Sequence, residues 1–393
     1  MAGCPNSLKI SRAVAKELGK ISGKKVKVEL INTYKLDPGK AFKNMRSIWK
    51  GVVGDNRVII AERILEKKMP DVLIVGDDGG INAFIVKLAQ LRGIPTIAVQ
   101  VGMLSEESQK SIKSIFRWRK YFLWRLYSKI TKNRLIAKVL ISIRSRVRVL
   151  EWGLGGADLL VLMGENYRER MIKRGVSPHR IVVSGYVLLD EIIKSELGQT
   201  QPKPLDNIPG LKQSKKKILL ISQPLVEDEI CSLKKYHSVI DTLVKNLSSE
   251  YQLIIKPHAR ENTKKYTKLI KEFPEKVILT SSEYNLGDLV KNTEIALTFH
   301  STAGLTTLVY KKPLIVLNFI RFLHVNPLRD FGLTVDTIEK LRDFAQNPLK
   351  FTSSWNANYE ENIRRYLYQL DGDAALRVAR IILKIIDSST SKS

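Results

Sequence analysis

The 393-residue chain is 44% apolar and 27% charged and carries a formal net charge of +27, which describes a folded protein of about two ordinary domains and excludes a disordered chain. Cys4 and Cys231 are the only cysteines, so a disulfide framework and a thiolate metal site are excluded and a reducing compartment is expected. No run of about 18 uncharged apolar residues is present to span a bilayer, and the N-terminus lacks the layout of a signal peptide; the expected location is cytoplasmic.

In chain order, Ala2 to Ser7 reads as a glycine-containing loop opening a helix with Ile10, Val14, Leu18 and Ile21 on one face. An α/β domain normally places a strand before such a loop. Either the fold begins with a helix or the chain starts one strand late, and the second view is favoured. Regular alternation follows: a strand over 26–31, a largely helical stretch over 41–67, and a short buried strand over 71–75 ending in Gly76-Asp77-Asp78-Gly79-Gly80. A helix over 81–92 and a strand over 95–101 ending at Gly102 come next. Strands separated by helices imply a parallel sheet.

The region 108–150 breaks this rhythm, with no Asp or Glu and thirteen Lys and Arg. Its apolar residues fall near helical spacing and aromatics lie among the cations, as in Arg117, Trp118, Arg119, Lys120, Phe122, Trp124 and Arg125. This pattern predicts one or two basic amphipathic helices resting on an anionic membrane surface. A charged helix packed on the sheet is the second reading. Nucleic-acid binding, with the aromatics stacked on bases, is the weakest.

Strands over 157–163 and 181–184 with a helix over 167–174 resume the pattern, and 190–194 reads as a short helix. The stretch 195–217, rich in Pro, Gly, Gln and Lys, reads as an interdomain linker. A second domain then runs through strands at 218–221, 251–255, 277–280, 295–299 and 314–318, with helices at 229–249, 262–272, 286–292 and 303–310. Asp336 and Glu339 suggest a capping box for a helix over 336–345, and 374–386 is a final long helix before a Ser/Lys tail expected to be disordered.

Two strand–loop–helix units organise this second domain. One ends its strand in Lys256-Pro257-His258 with Arg260 beyond; the other passes from Phe299 into His300-Ser301-Thr302-Ala303-Gly304. Ligands of open α/β sheets bind beyond the carboxyl ends of strands, and hydroxyls with free N–H groups at a helix start favour an anion. Together the loops point to a nucleotide-diphosphate site.

Several motifs then carry a resemblance. Pro70 to Asp78, Gly93-Ile94-Pro95-Thr96 and Gln100-Val101-Gly102-Met103 resemble a pattern of the non-hydrolysing nucleotide-sugar 2-epimerases and of surface-polysaccharide glycosyltransferases. Arg180 to Tyr186 resembles the end of their first domain. Lys256-Pro257-His258, His300 to Gly304 and Lys312-Pro313-Leu314-Ile315 are similar to second-domain motifs of capsule transferases, and Leu370 to Ala374 with Arg377 to their C-terminal helix start. The resemblance covers most of the chain outside 104–152. It implies a GT-B fold: two Rossmann-like α/β domains facing a cleft, with the basic amphipathic helices inserted in the first. The expected domains are an acceptor-side domain over 1–194 with its insertion at 104–152, the linker, a nucleotide-sugar domain over 218–352, and a C-terminal helix over 353–393 packing back.

The implied activity is metal-independent, inverting glycosyl transfer at the cytoplasmic membrane face, from a nucleotide-sugar to a lipid-linked or polysaccharide acceptor. No cofactor and no metal are expected. A leaving diphosphate needs cationic or dipolar groups, because negative charge grows on it. The implied donor-site residues are Gln223, Lys256, His258, Arg260, His300, Ser301, Thr302 and Gly304. The other reading is that Lys256, His258 and Arg260 line a solvated loop, and that Ser301 or Thr302 simply caps a helix. Asp77 or Asp78 is the implied base for the acceptor hydroxyl, with a cap of the helix over 81–92 as the other reading, and His258 is also assigned to catalysis. Gly79, Gln100, Gly102 and Tyr186 line the acceptor side. Two departures stand out: Gln100 occupies the place of a catalytic Glu of the epimerases, and Thr306 that of a ribose-binding Glu of the transferases. Polyol-phosphate transfer, 2-epimerisation and a non-catalytic membrane-binding role are the alternatives.

Overall fold

The computed structural model describes residues 5–23, 27–28, 65–76, 78, 82–103, 106–107, 152–197, 205, 208–281, 284–319, 324–325, 327–355 and 359–390. Most of the predicted strand at 26–31, most of the helix at 41–67 and the basic region 108–150 with its proposed membrane contacts lie outside them; Lys27 and Val28 are described and form no strand. The chain divides into two compact units. The first comprises Met1–Gly102, Ile112–Asp190 and Arg364–Ser393; the second comprises Met103–Ser111 and Glu191–Ile363.

In the first unit, β1 (Leu73–Val75) and β2 (Thr96–Val99) are followed along the chain by β3 (Glu106–Glu107), which belongs to the second unit, and then by β4 (Leu159–Leu162) and β5 (Ile181–Val183). The sheet runs β1-β2-β4-β5, all parallel, as continuous apolar strands dictate when helices cover both faces. On one face the helix Pro5–Ile21 packs against the helix Ala374–Thr390. Ile10, Val14 and Leu18 meet Ala374, Ala375, Val378, Ala379 and Ile382 over Ile97, Val99 and Val161 of the sheet. Repeats of three and four residues on both helices make these stripes, and alanines allow close approach.

The start of this last helix is held from a distance. Asp190 accepts the backbone N–H of Ala374 at 3.2 Å and of Ala375 at 2.7 Å, supplying a cap 184 residues away. Arg377 donates to the Ser184 carbonyl at 2.7 Å and pairs with Asp371, which holds that carboxyl below its usual range. The helix runs to Thr390, so the tail expected after 386 is helical for four more residues.

The second unit holds β6 (Lys216–Ile221), β7 (Tyr251–Lys256), β8 (Val277–Leu279), β9 (Ile295–Thr298), β10 (Leu314–Leu317), β11 (His324–Val325) and β12 (Leu333–Val335). Six of them form a parallel sheet in the order β12-β10-β9-β6-β7-β8, while β11 pairs antiparallel with β3. β6, the first strand of this sheet along the chain, therefore lies centrally: the chain winds one way through β7 and β8, and the other through β9, β10 and β12. β12 is an edge strand that the apolar pattern did not reveal. Gly332 makes its approach possible, since a Cβ there would lie 2.7 Å from the Leu314 carbonyl.

Local rules set three of the described helix starts. Ser232, Asn285 and Thr337 each accept a backbone N–H at the first turn of the helices Leu233–Asn246, Leu286–Lys291 and Ile338–Gln346. The last corrects the expected capping box. Thr337 caps the helix through the Lys340 N–H, and Asp336, one residue earlier, pairs instead with the Lys340 ammonium at 2.9 Å.

Candidate functional site

The topological switch of the second sheet lies between β6 and β9, which pair in parallel with Ile221 opposite Thr298; on the other side of β6, Ile221 lies opposite Lys256. The loops after β7, β6 and β9 thus emerge side by side, spanning about 10 Å at the normal strand spacing. Such a crest is where an open α/β sheet holds its ligand. Gln223, on the central loop, accepts the His300 N–H at 2.6 Å through Oε1, and Thr298 Oγ1 donates to the Ile221 carbonyl at 3.0 Å. The Gln223 and His300 loops are therefore bound to each other.

Beneath the β6 and β7 loops lies a buried polar cluster. Glu261 Oε1 accepts Ser222 Oγ at 2.8 Å and Tyr266 OH at 2.9 Å and pairs with Lys265 Nζ at 2.6 Å, while Oε2 accepts the His258 N–H at 2.5 Å. Tyr236 OH lies 2.8 Å from Ser222 Oγ and 2.7 Å from Tyr266 OH. Lys265 stands over the Tyr236 ring, 4.5 Å from its centroid, and pairs more weakly with Glu227 at 3.3 Å. The Glu261 side chain is fully buried and that of Lys265 is 4% exposed. Burial pushes both phenols far above their ordinary value, so they remain protonated donors. One carboxylate thereby ties the central loop, the β7 loop and the following helix together.

That clamp determines what His258 presents. Its Nδ1 accepts the Arg260 N–H at 3.1 Å, so the neutral ring carries its proton on Nε2. Burial, and then Arg260 nearby, hold its pKa below the ordinary value. His258 therefore offers a dipolar N–H donor and not a charge. Arg260 is exposed and forms a two-pronged pair with Asp228 at 2.7 and 2.9 Å, a use that the sequence pattern did not foresee. Lys256 ends β7 beside Ile221.

On the β9 side, Ser301 takes the capping role: its Oγ accepts the Ala303 N–H at 3.2 Å, and its own N–H donates to Thr298 Oγ1 at 3.3 Å. Thr302 begins the short 3₁₀ turn Thr302–Leu305. Gly304 is buried, and a Cβ there would lie 3.2 Å from Thr298 Cγ2. Thr306 is 3% exposed, so its hydroxyl lies inside the unit.

In the first unit, Asp77 and Gly79 lie outside the described residues. Asp78 is wholly buried, and its Oδ1 accepts the Gly153 N–H at 2.6 Å. Gly155 packs so tightly beneath it that a Cβ would overlap the Asp78 carbonyl. Asp78 thus anchors the 153–156 turn through Oδ1. Gln100, 3% exposed, accepts the Met163 N–H at 3.0 Å and donates to the Gly102 carbonyl at 2.8 Å. Tyr186 is 5% exposed and donates to the Val101 carbonyl at 3.4 Å. Gly102 remains half-buried. Both side chains brace the end of the sheet and do not present themselves to solvent.

Among the described residues, no three His, Cys, Asp or Glu are placed to hold a metal ion, and no helix is long and apolar enough to cross a membrane. Sequence reasoning missed the Glu261 clamp. The four-residue spacing of Glu261 and Lys265 was a usable signal; the distant Tyr236 gave none.

The model of the alpha-2,8-polysialyltransferase family matches residues 188–295, a span that includes the Gln223 and His258 loops and ends at the start of β9. A comparison with curated proteins finds no match. Among solved structures, the chain is similar to the Staphylococcus aureus MnaA–UDP co-structure, with 14% identity over 98% of this chain and 95% of that one and a TM-score of 0.60. It is also similar to the UDP-GlcNAc 2-epimerase of Neisseria meningitidis bound to UDP-GlcNAc (15% identity, 98% of each chain, TM-score 0.60). The UDP-GlcNAc 2-epimerase of Methanocaldococcus jannaschii, in complex with UDP-GlcNAc and UDP, has 16% identity over 98% of each chain and a TM-score of 0.58. At such identities the likeness is one of fold. The chain has the two-domain α/β fold of the UDP-GlcNAc 2-epimerases, with a parallel sheet in each unit, as the sequence motifs implied.

Proposed function

We propose that the chain is a glycosyltransferase of surface-polysaccharide assembly, taking its sugar from a nucleotide-sugar held at the β6–β7–β9 crest. The observation that carries this reading is the polysialyltransferase match, because it spans both the Gln223 loop and the clamped His258 loop. The UDP and UDP-GlcNAc held by structures of the same fold support a nucleotide-sugar as the ligand.

The chemistry needs positive potential where the diphosphate leaves. His258 would donate from Nε2–H, Lys256 would supply the charge, and the His300 loop would close the far side. Arg260 would join only by giving up Asp228. The transfer would be inverting and metal-independent, with Asp77 as base to the acceptor hydroxyl. The basic region 108–150 would dock the enzyme on an anionic membrane surface at the cytoplasmic face, where a lipid-linked or polysaccharide acceptor is presented. Epimerisation is the weaker reading, because an amide at Gln100 neither takes nor gives a proton in acid–base catalysis.

The test is thermal stabilisation by UDP, GDP, CMP, CDP, ADP and dTDP, for the wild type and for His258→Ala. A shift with one nucleotide that the substitution abolishes identifies the donor class and places it at this crest. No shift with any nucleotide refutes the donor-site assignment and favours a non-catalytic membrane-binding protein.

A further inference from the structure

At the opposite end of the same sheet, where β10 and β12 begin, a cavity of about 160 Å³ opens between the 3₁₀ turn Pro327–Asp330 and the helix Tyr359–Leu367. It is separated from the crest by the length of the strands, about 13 Å for four residues. Its walls are Trp355, Tyr359 and Phe331, and its polar groups are Asp330, Ser354 and Asn362.

Three features of this cavity bear on a ligand. The two large rings are held edge to face, with centroids 5.6 Å apart, and each is fixed by its polar tip: Trp355 Nε1 donates to the Phe331 carbonyl at 2.9 Å, and Tyr359 OH to the Leu308 carbonyl. With their polar atoms used internally, the rings line the cavity with apolar surface at little further entropic cost, and Lys311 Nζ stands over the Tyr359 ring, 5.8 Å from its centroid. Asn362 donates through Nδ2 to the Asp330 backbone carbonyl, so both residues line the same wall of the cavity. The volume, finally, is well below the roughly 300 Å³ at which sites for drug-sized ligands begin, so one small ring fits and a nucleotide does not.

Apolar ring surface beside hydroxyl-accepting groups matches a molecule with a C–H face and a hydroxyl rim, and the Asp330 carboxylate opposes an anionic one. We propose that this cavity is a binding subsite for a neutral pyranose ring, engaging one residue of an oligosaccharide away from the donor crest. The proposal goes beyond the transferase reading and is tested separately from it.

Methyl glucopyranoside, methyl N-acetylglucosaminide and the methyl glycoside of N-acetylneuraminic acid serve as probes in saturation-transfer NMR titrations. The wild type is compared with Trp355→Ala and Asn362→Ala, and urea unfolding of each variant reports its fold without requiring any nucleotide to bind. Transfer to the ring C–H protons of a neutral glycoside is expected, weakened about tenfold in Asn362→Ala by the loss of one hydrogen bond and abolished in Trp355→Ala. If Trp355→Ala does not fold, the Asn362→Ala titration decides alone. Transfer to no neutral glycoside, transfer unchanged in the folded variants, or transfer confined to the sialoside overturns the proposal.

Discussion

Replacing Glu261 by alanine tests whether the buried carboxylate organises the candidate donor site. The substitution leaves Lys265 inside the unit without its nearest counter-charge, and breaking a buried pair from one side costs about 3–5 kcal/mol. Lys265 keeps Glu227 at 3.3 Å and the face of Tyr236, which brings this cost to about 3 kcal/mol. Ser222, Tyr266 and the His258 N–H lose an acceptor as well. The two hydroxyls can turn to Tyr236, so their loss and that of the amide add about 1 kcal/mol. The total is about 4 kcal/mol, or a fall in Tm of about 8–16 °C for a domain of roughly 150–250 residues. Urea unfolding measures it, and a cycle with Lys265→Ala separates the pair from its surroundings. Because the double variant buries no lone charge, a coupling of about 2 kcal/mol is expected. A loss below about 1 kcal/mol, or additivity within about 0.5 kcal/mol, would refute the clamp.

Two further outcomes follow from single contacts. Asp190→Ala removes both acceptors from the start of the helix Ala374–Thr390 and should cost about 2 kcal/mol in urea unfolding, with Asp190→Asn recovering part of it; an unchanged midpoint would show that the distant cap is idle. His258 is a base with a folded pKa below its ordinary 6.5, so the unfolded chain binds the proton more readily. Its contribution is therefore intact above pH 6.5 and lost as the pH falls from there through the folded value. Denaturation at pH 7.5 and 5.5 should show a larger drop for the wild type than for His258→Gln, and equal drops would show that burial and Arg260 do not depress its pKa.

How far the sequence could be read depended on the range of each interaction. Continuous apolar runs such as Leu253 to Ile255 and Leu314 to Leu317 determined a parallel, doubly covered sheet, because burial on both faces leaves no other pattern. The loops after Lys256 and Phe299 were legible as a pair for the same reason: a parallel sheet places the ends of its strands at one edge. The caps at Asn285 and Thr337 lay within a residue of their expected positions, since they depend on three or four neighbours, whereas the helix expected from 229 starts at Leu233. β12 escaped because three residues at a sheet edge, two of them half-exposed, carry no clear period.

Only the tertiary structure decided what the polar residues do. Asp78, Gln100 and Tyr186 resemble site residues in sequence, yet each is buried and spends hydrogen-bonding capacity on backbone groups far along the chain. Arg260 reads as a phosphate ligand until Asp228, thirty-two residues away, is seen to hold it. Glu261, unremarked in sequence, becomes the centre of the β6–β7 crest through Ser222 and Tyr266. A hydrophobic side chain needs only to be buried, so its spacing predicts its place. A buried polar group needs particular partners, and those are chosen by the folded arrangement of distant segments.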